Sequence, residues 1–175
     1  MRGSNDGDSL IGTTAGDAIF ALAGDDVIEG LGGHDCLDAG ADSDDVRGGS
    51  GNDTLLGGAG NDELEGGSGV DRIYGQAGAD ELTGNSGDDM LAGGDGSDRL
   101  SGGSGANKLF GERGNDRLAA GESGGSSLDG GSGNDRIDAV NARRDTIKCG
   151  TGYDRATLDR ADRASGCERV TRKRT

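Results

Sequence analysis

Residues 48–56 read GGSGNDTLL, residues 57–65 GGAGNDELE and residues 66–74 GGSGVDRIY. Glycine, glycine, glycine, aspartate and one aliphatic residue return at the same offsets in all three. An amphipathic helix needs apolar residues three and four positions apart, so a single aliphatic every nine positions argues against one. The pattern runs almost from end to end. Leu10, Ile19, Ile28, Leu37, Val46, Leu55, Leu64, Ile73, Leu82, Leu91, Leu100, Leu109 and Leu118 follow one another in steps of nine. After an extra residue near Ala120 the series resumes at Leu128 and Ile137, after another at Ile147, and weakly at Ala156. Self-similarity at a fixed short period marks a stacked repeat architecture, in which no unit buries its apolar side chain alone.

Two residues before the aliphatic stands a carboxylate: Asp8, Asp17, Asp26, Asp35, Asp44, Asp53, Asp62, Asp71, Asp80, Asp89, Asp98, Asp116, Asp135, Asp145 and Asp154, with Asn107 and Ser126 as the interruptions. Four residues before it glycine is the rule, as at Gly51, Gly60, Gly69, Gly78, Gly87, Gly96, Gly105 and Gly114. Glycine there admits a positive φ and a tight turn. Each aliphatic with its two neighbours makes a strand of about three residues, roughly 10 Å long, bracketed by such turns.

Composition agrees with an unconventional core. The chain has 39 glycines, no proline and 2% aromatic residues, far from ordinary globular usage. With 33 Asp and Glu against 18 Lys and Arg, its net charge is -15. Low hydrophobicity with high charge is the signature of a chain that stays disordered unaided. The sign of the charge argues against nucleic acid as a partner and for cations. The charge is uneven: from Arg155 to Thr175, Arg155, Arg160, Arg163, Arg169, Arg172, Lys173 and Arg174 outnumber Asp159, Asp162 and Glu168. That leaves the acidity to the repeats. No apolar stretch approaches the roughly 18 residues of a membrane span. MRGSNDGD at the start lacks the apolar run of a secretory signal, so an export signal is expected elsewhere.

The unit GGxGxDxUx, with U a large aliphatic, resembles the RTX or hemolysin-type calcium-binding nonapeptide repeat. The match covers about residues 3 to 156, and units 48–56, 57–65, 66–74 and 130–138 fit every defined position. The resemblance implies an all-β protein, a right-handed parallel β-roll with two nonapeptides per coil and the aliphatic side chains inside. It also implies calcium ions between successive turns on both edges, each shared by the aspartates of units two apart and assisted by turn carbonyls. On that basis Asp17, Asp26, Asp35, Asp44, Asp53, Asp62, Asp71, Asp80, Asp89, Asp98, Asp116, Asp135 and Asp145 are the candidate ligands. Calcium suits an all-oxygen set of irregular geometry, whereas zinc would want the His and Cys this chain scarcely has. Folding is then expected to depend on calcium, with a disordered chain in a calcium-poor cytosol and a secreted, extracellular folded form.

The resemblance divides the chain into a roll over 1–156 and a basic C-terminal cap or tail over 157–175. DTIKCGTGYD with GCERV also resembles the C-terminal closure of secreted proteins of this family. A Cys149–Cys167 disulfide would staple that end, two buried free thiols being the alternative. VTRKRT is basic where the C-terminal signals of type I secreted members tend not to be, which counts against that export route. Odd units keep Asp at every turn, whereas Asn107 and Ser126 both fall among the even units. One continuous calcium row and one weakened row are expected.

On the even sheet Phe20, Asp38, Leu56, Tyr74, Ala92 and Phe110 form an outward column at an 18-residue step, with Met90 on the same face. This is a candidate surface for a protein partner or a second copy. Cys36 has no obvious partner, and His34 reads as a surface residue. No nucleophile stands in a recognisable setting and the ladder makes all carboxylates alike, so no enzyme is expected. Two alternatives share the fold: a structural or adhesive surface protein using the apolar face, and the C-terminal repeat module of a larger secreted hydrolase.

Overall fold

The computed structural model describes residues 1–173; Arg174 and Thr175, counted above in the basic tail, lie outside the described residues. Among the described residues there are nineteen strands, from β1 (Ser9–Ile11) to β19 (Arg169–Arg172), and no helix. None therefore is a helix long and apolar enough to cross a membrane. Odd-numbered strands build a ten-stranded sheet and even-numbered strands a nine-stranded one, so successive strands alternate between sheets. Every pairing is parallel. β6 (Thr54–Ala59) pairs with β8 (Arg72–Ala77) through Thr54↔Arg72, Leu55↔Ile73 and Leu56↔Tyr74, a displacement of 18 residues. One coil is thus two nonapeptides, and the molecule is a parallel β-roll of about nine turns.

The inserted residues are absorbed in the turns. Beyond them the displacement becomes 19, as in Lys108↔Ser127 and Arg136↔Arg155, and the aliphatics stay in line. Ile19, Ile28, Leu37, Val46, Leu55, Leu64, Ile73, Leu82, Leu91, Leu100, Leu109, Leu118, Leu128, Ile137 and Ile147 are all buried in one continuous core. Each contributes on the order of 1.5 to 3 kcal/mol by leaving water. The second inward position, two residues further on, is glycine in most units and Ala21, Ala39, Ala120, Ala139, Cys149 or Leu158 in the others.

Many strands run to six residues, twice the length expected from the sequence. In β6 the pairing skips Gly57 and resumes at Gly58↔Gln76 and Ala59↔Ala77. Gly58, at φ 112°, bends the chain so that it rejoins its neighbour beyond the aliphatic. That bend tolerates side chains: Leu22, Leu31, Gln76, Asn85 and Glu112 take it with φ between 70° and 93°. The turn glycine four residues before the aliphatic is stricter. Gly69 has φ 131°, and a Cβ on it would overlap the Gly51 carbonyl oxygen of the coil before. Coils stacked at strand separation leave no room for a side chain at Gly69, although Asp42 takes the equivalent place four before Val46 with φ 77°.

At the C-terminal end, β17 (Arg155–Leu158), β18 (Arg163–Ser165) and β19 continue the two sheets with coils shortened to 17 and 14 residues. Cys149 and Cys167 are joined by a disulfide, their Cα atoms 5.1 Å apart. Ala164 and Cys167 pack on the last of the core. The Arg172 guanidinium donates to the Asp159 carbonyl at 2.7 Å, tying the final strand to the preceding turn.

Candidate calcium-binding edges

From Asp26 to Asp154 each turn aspartate is buried, Asp8 and Asp17 being half-buried, and its two carboxylate oxygens have different fates. Oδ1 accepts the backbone N–H of the aspartate one coil earlier. Asp53 N–H donates to Asp71 Oδ1 at 2.9 Å, Asp71 N–H to Asp89 Oδ1 at 2.9 Å, and on the other edge Asp62 N–H to Asp80 Oδ1 at 3.0 Å. The ladders run along both edges, from Asp8 N–H on Asp26 and Asp17 N–H on Asp35 to Asp135 N–H on Asp154. Oδ2 is left over. In Asp26, Asp35, Asp44, Asp53, Asp62, Asp71, Asp80, Asp89, Asp98, Asp116, Asp135 and Asp145 it is buried without a hydrogen-bond partner, as it is in Asp154.

These orphaned oxygens face backbone carbonyls. A Cβ placed on Gly48 would stand 2.7 Å from Asp53 Oδ2 and 2.6 Å from the Gly66 carbonyl oxygen. Gly84 has the same relation to Asp89 Oδ2 and the Gly102 carbonyl, at 2.5 and 2.7 Å. The inward glycine therefore leaves a small cradle in which carboxylate and carbonyl oxygens of different turns converge. No basic side chain neutralises them: the ion pairs among the described residues belong to Arg47, Arg113 and Lys148, all on the outer faces.

Burial consequently makes ionisation costly. The carboxyls of Asp44 and Asp116 are pushed up to about 7, and those of Asp71, Asp80 and Asp98 to about 6. Loss of water is the main cause in each, opposed by the backbone N–H bond and reinforced by neighbouring ladder carboxylates, joined by Asp25 at Asp44 and by Glu112 at Asp98. Burial likewise raises Asp26, Asp35, Asp53, Asp62, Asp89, Asp135 and Asp145. At neutral pH such a row calls for bound cations or bound protons.

The donor set fits calcium. No three His, Cys, Asp or Glu side chains converge among the described residues, so a cation here would take one or two carboxylates and complete its shell from turn carbonyls. A hard ion that accepts six to eight oxygens without strict geometry suits that supply, and a thiolate- or imidazole-seeking metal does not.

The structure separates the candidate ligands further. Asp17 differs from the other twelve: its Oδ2 accepts the Thr13 N–H at 2.7 Å and the Thr13 hydroxyl at 2.9 Å. Asn107 and Ser126, 1% and 2% exposed, do not break the even ladder. Asp89 N–H donates to Asn107 Oδ1 at 2.9 Å, Asn107 N–H to Ser126 Oγ at 3.1 Å, and Ser126 N–H to Asp145 Oδ1 at 2.7 Å. What they lack is the second oxygen. Asn107 puts Nδ2 where other units have Oδ2, 2.7 Å from a Cβ on Gly102, facing the Ala120 carbonyl.

Three features escaped the sequence reading. Asp162 and Glu168 close the two rows, accepting the N–H groups of Asp145 at 2.9 Å and Asp154 at 2.7 Å. They lie where the nine-residue period has dissolved, so nothing in the spacing marks them. A second ladder follows the residue before each aspartate. There Asn52 Oδ1 accepts the Val70 N–H, Asn61 Oδ1 the Ala79 N–H, and His34 Nδ1 the Asn52 N–H, each at 2.8 Å. The recurrence of Asn, Asp, Ser and His at that offset was the available signal.

Cation-seeking carboxylate rows on both edges of a parallel β-roll define a class of calcium-binding solenoid. The family model for the RTX calcium-binding nonapeptide repeat matches residues 2–35, 11–46, 38–73, 47–82, 65–100, 83–118 and 119–139, and the chain belongs to that family. No curated protein matches it.

Proposed function

We propose that this chain is a secreted, non-catalytic module that folds when calcium binds along its two edges. The observation that carries this reading is the row of buried, unpartnered Oδ2 atoms, which at Asp35, Asp53, Asp62, Asp80, Asp89, Asp116 and Asp135 lie beside a turn carbonyl. Asp35, Asp53, Asp62, Asp71, Asp80, Asp89, Asp98, Asp116 and Asp135, each across from an inward glycine, hold the ion, while Asp17, already satisfied by Thr13, and Asp26, Asp44 and Asp145, whose units carry Ala21, Ala39 and Ala139 at that place, contribute less. Calcium supplies the positive charge that lets the buried carboxylates ionise together. The chain supplies the rest: Oδ1 bonds fix each carboxylate, turn glycines permit the stacking, and single aliphatics close the interior. A bridged Cys149–Cys167 pair suits an oxidising, calcium-rich exterior. The ladder carboxylates share one environment, which supports structural rather than acid–base work. Equilibrium calcium binding tests the reading: Asp71→Asn and Asp80→Asn each lower the stoichiometry, whereas a stoichiometry unchanged in both contradicts it.

A second reading rests on the outer face of the nine-stranded sheet. Phe20, Asp38, Leu56, Tyr74, Ala92 and Phe110 align in register there, with Met90 in the adjacent column. This column supports calcium-dependent self-association, which Leu56→Lys abolishes in sedimentation measurements; a monomer with calcium excludes it.

A further inference from the structure

The ten-stranded sheet carries a charge pattern that calcium binding does not use. The outward position just before each inward aliphatic reads Asp45, Glu63 and Glu81, then Arg99, Arg117, Arg136, Arg155 and Arg169, every residue paired in register with the next. Five arginines stand in one file, four strand separations of about 4.8 Å, or roughly 19 Å in all. All five are exposed, and none has a carboxylate within ion-pair distance among the described residues. Like charges directly opposite on neighbouring strands repel, so the file costs stability that no internal anion offsets.

Apart from the buried calcium-row carboxylates Asp116 and Asp135 at the floor of the turn side, what flanks the file is mostly neutral and polar. On the turn side stand Asn115, Asn134 and Tyr153, linked by N–H bonds to the side chains of the first two at 2.8 and 2.9 Å. The exposed Tyr153 ring lies 5.6 Å from the Arg155 guanidinium carbon. Across the file the next outward column offers Ser101, Ala119, Thr157 and Thr171, with Asp138 its one acid. An open groove of about 520 Å³ runs between Asn115, Tyr153, Arg136 and Arg169, and a second of about 270 Å³ shares Arg117 and Arg136 with it and continues to Arg99.

We propose that this arginine file binds a linear anionic polysaccharide. Guanidinium forks match carboxylate and sulfate oxygens two at a time. An extended chain with one acidic group per sugar advances by about one strand separation per sugar, so the acidic groups on its facing side come level with arginines of the file. Amide and hydroxyl groups alongside serve sugar hydroxyls, and an exposed tyrosine offers a ring face to stack on. A nucleic-acid duplex carries its phosphates on two strands and is too broad for a file one side chain wide. A bilayer surface would want apolar anchors beside the cations, and Ser101, Ala119, Thr157 and Thr171 are none.

The test is fluorescence anisotropy in saturating calcium, with labelled oligogalacturonates too short to gel, neutral dextran oligosaccharides as control, and a DNA duplex and phosphatidylglycerol vesicles as rivals. Far-UV circular dichroism checks the fold of every variant, so loss of calcium-dependent folding is told apart from loss of the site. The expected result is salt-sensitive binding of the oligogalacturonate, weakened roughly tenfold or more by Arg117→Gln/Arg136→Gln/Arg155→Gln. Arg72→Gln/Lys108→Gln/Arg163→Gln, the same charge removed from the other sheet, leaves it within about twofold. If the triple variant misfolds, Arg136→Gln alone decides, with an expected loss of about threefold. No binding, equal losses in both triple variants, or tighter binding to the duplex or the vesicles overturns the proposal.

Discussion

Asn107→Asp adds one oxygen-for-nitrogen exchange at a position the structure has already shaped for a carboxylate. Oδ1 keeps the Asp89 N–H, and the new oxygen takes the place of Nδ2 opposite the Ala120 carbonyl. Without calcium the exchange buries another charge. Burial lifts the carboxyls of Asp71, Asp80 and Asp98 from 3.8 to about 6. A comparable lift costs about 3 kcal/mol at neutral pH, at about 1.4 kcal/mol per pH unit. With calcium the same oxygen completes a cradle, and one further ion linked to folding adds about 1.4 kcal/mol for every tenfold rise in calcium. The two effects give a crossing: the variant is less stable than the parent at low calcium and overtakes it only when calcium exceeds the new site's dissociation constant by about a hundredfold. Urea unfolding across a calcium series, with stoichiometry from equilibrium dialysis, reads both slope and ion count. Parallel stability lines, or an unchanged count, would refute the assignment of Oδ2 as the ion-facing oxygen.

Acid should partly replace calcium. Asp44, Asp71, Asp80, Asp98 and Asp116 are harder to ionise in the fold than in the coil, so the fold binds more protons. Their contribution is full below about 3.8 and is lost as pH rises through about 6 to 7. Calcium-free chain taken from about pH 8 to about pH 5 therefore gains β signal in circular dichroism, and a flat profile counts against the raised carboxyls. Gly48→Ala is expected to cost one calcium ion, since its Cβ would meet Asp53 Oδ2 at 2.7 Å. Alanine is accepted at the equivalent Ala39, so a general failure to fold, rather than a lost ion, argues against the cradle. Cys167→Ser opens a loop of 18 residues and should lower stability by about 3 kcal/mol, with proteolysis advancing first from the C-terminal coils. Equal resistance of the two proteins would remove the bridge from the account of that end.

The nine-residue period was enough to specify the roll, because one aliphatic per unit can be buried only if every unit stacks in the same register. Leu55 and Asp53 show how much of the site the sequence disclosed: the side chain for the interior and the carboxylate for the edge. It did not disclose that Asp17 is already occupied by Thr13, which stands at the second position of unit 12–20, where the consensus has a glycine without a side chain to donate. Nor did it disclose Asp162 and Glu168, which close the rows after coils shortened to 17 and 14 residues. The arginine file was hidden by the same arithmetic. Arg99 and Arg117 are 18 apart, Arg136 and Arg155 follow at 19, and Arg169 at 14, so only the pairing of strands aligns them. Charge counted along the chain assigned Arg155 and Arg169 to the tail; charge counted across the sheet joins them to the repeats.

The most direct measurement is a calcium titration of chelator-treated chain at neutral pH, following far-UV circular dichroism and hydrodynamic radius together. The account predicts an expanded, unstructured chain without calcium and a cooperative transition to a compact β form as several ions bind per molecule. A chain already compact and fully β in excess chelator would contradict it.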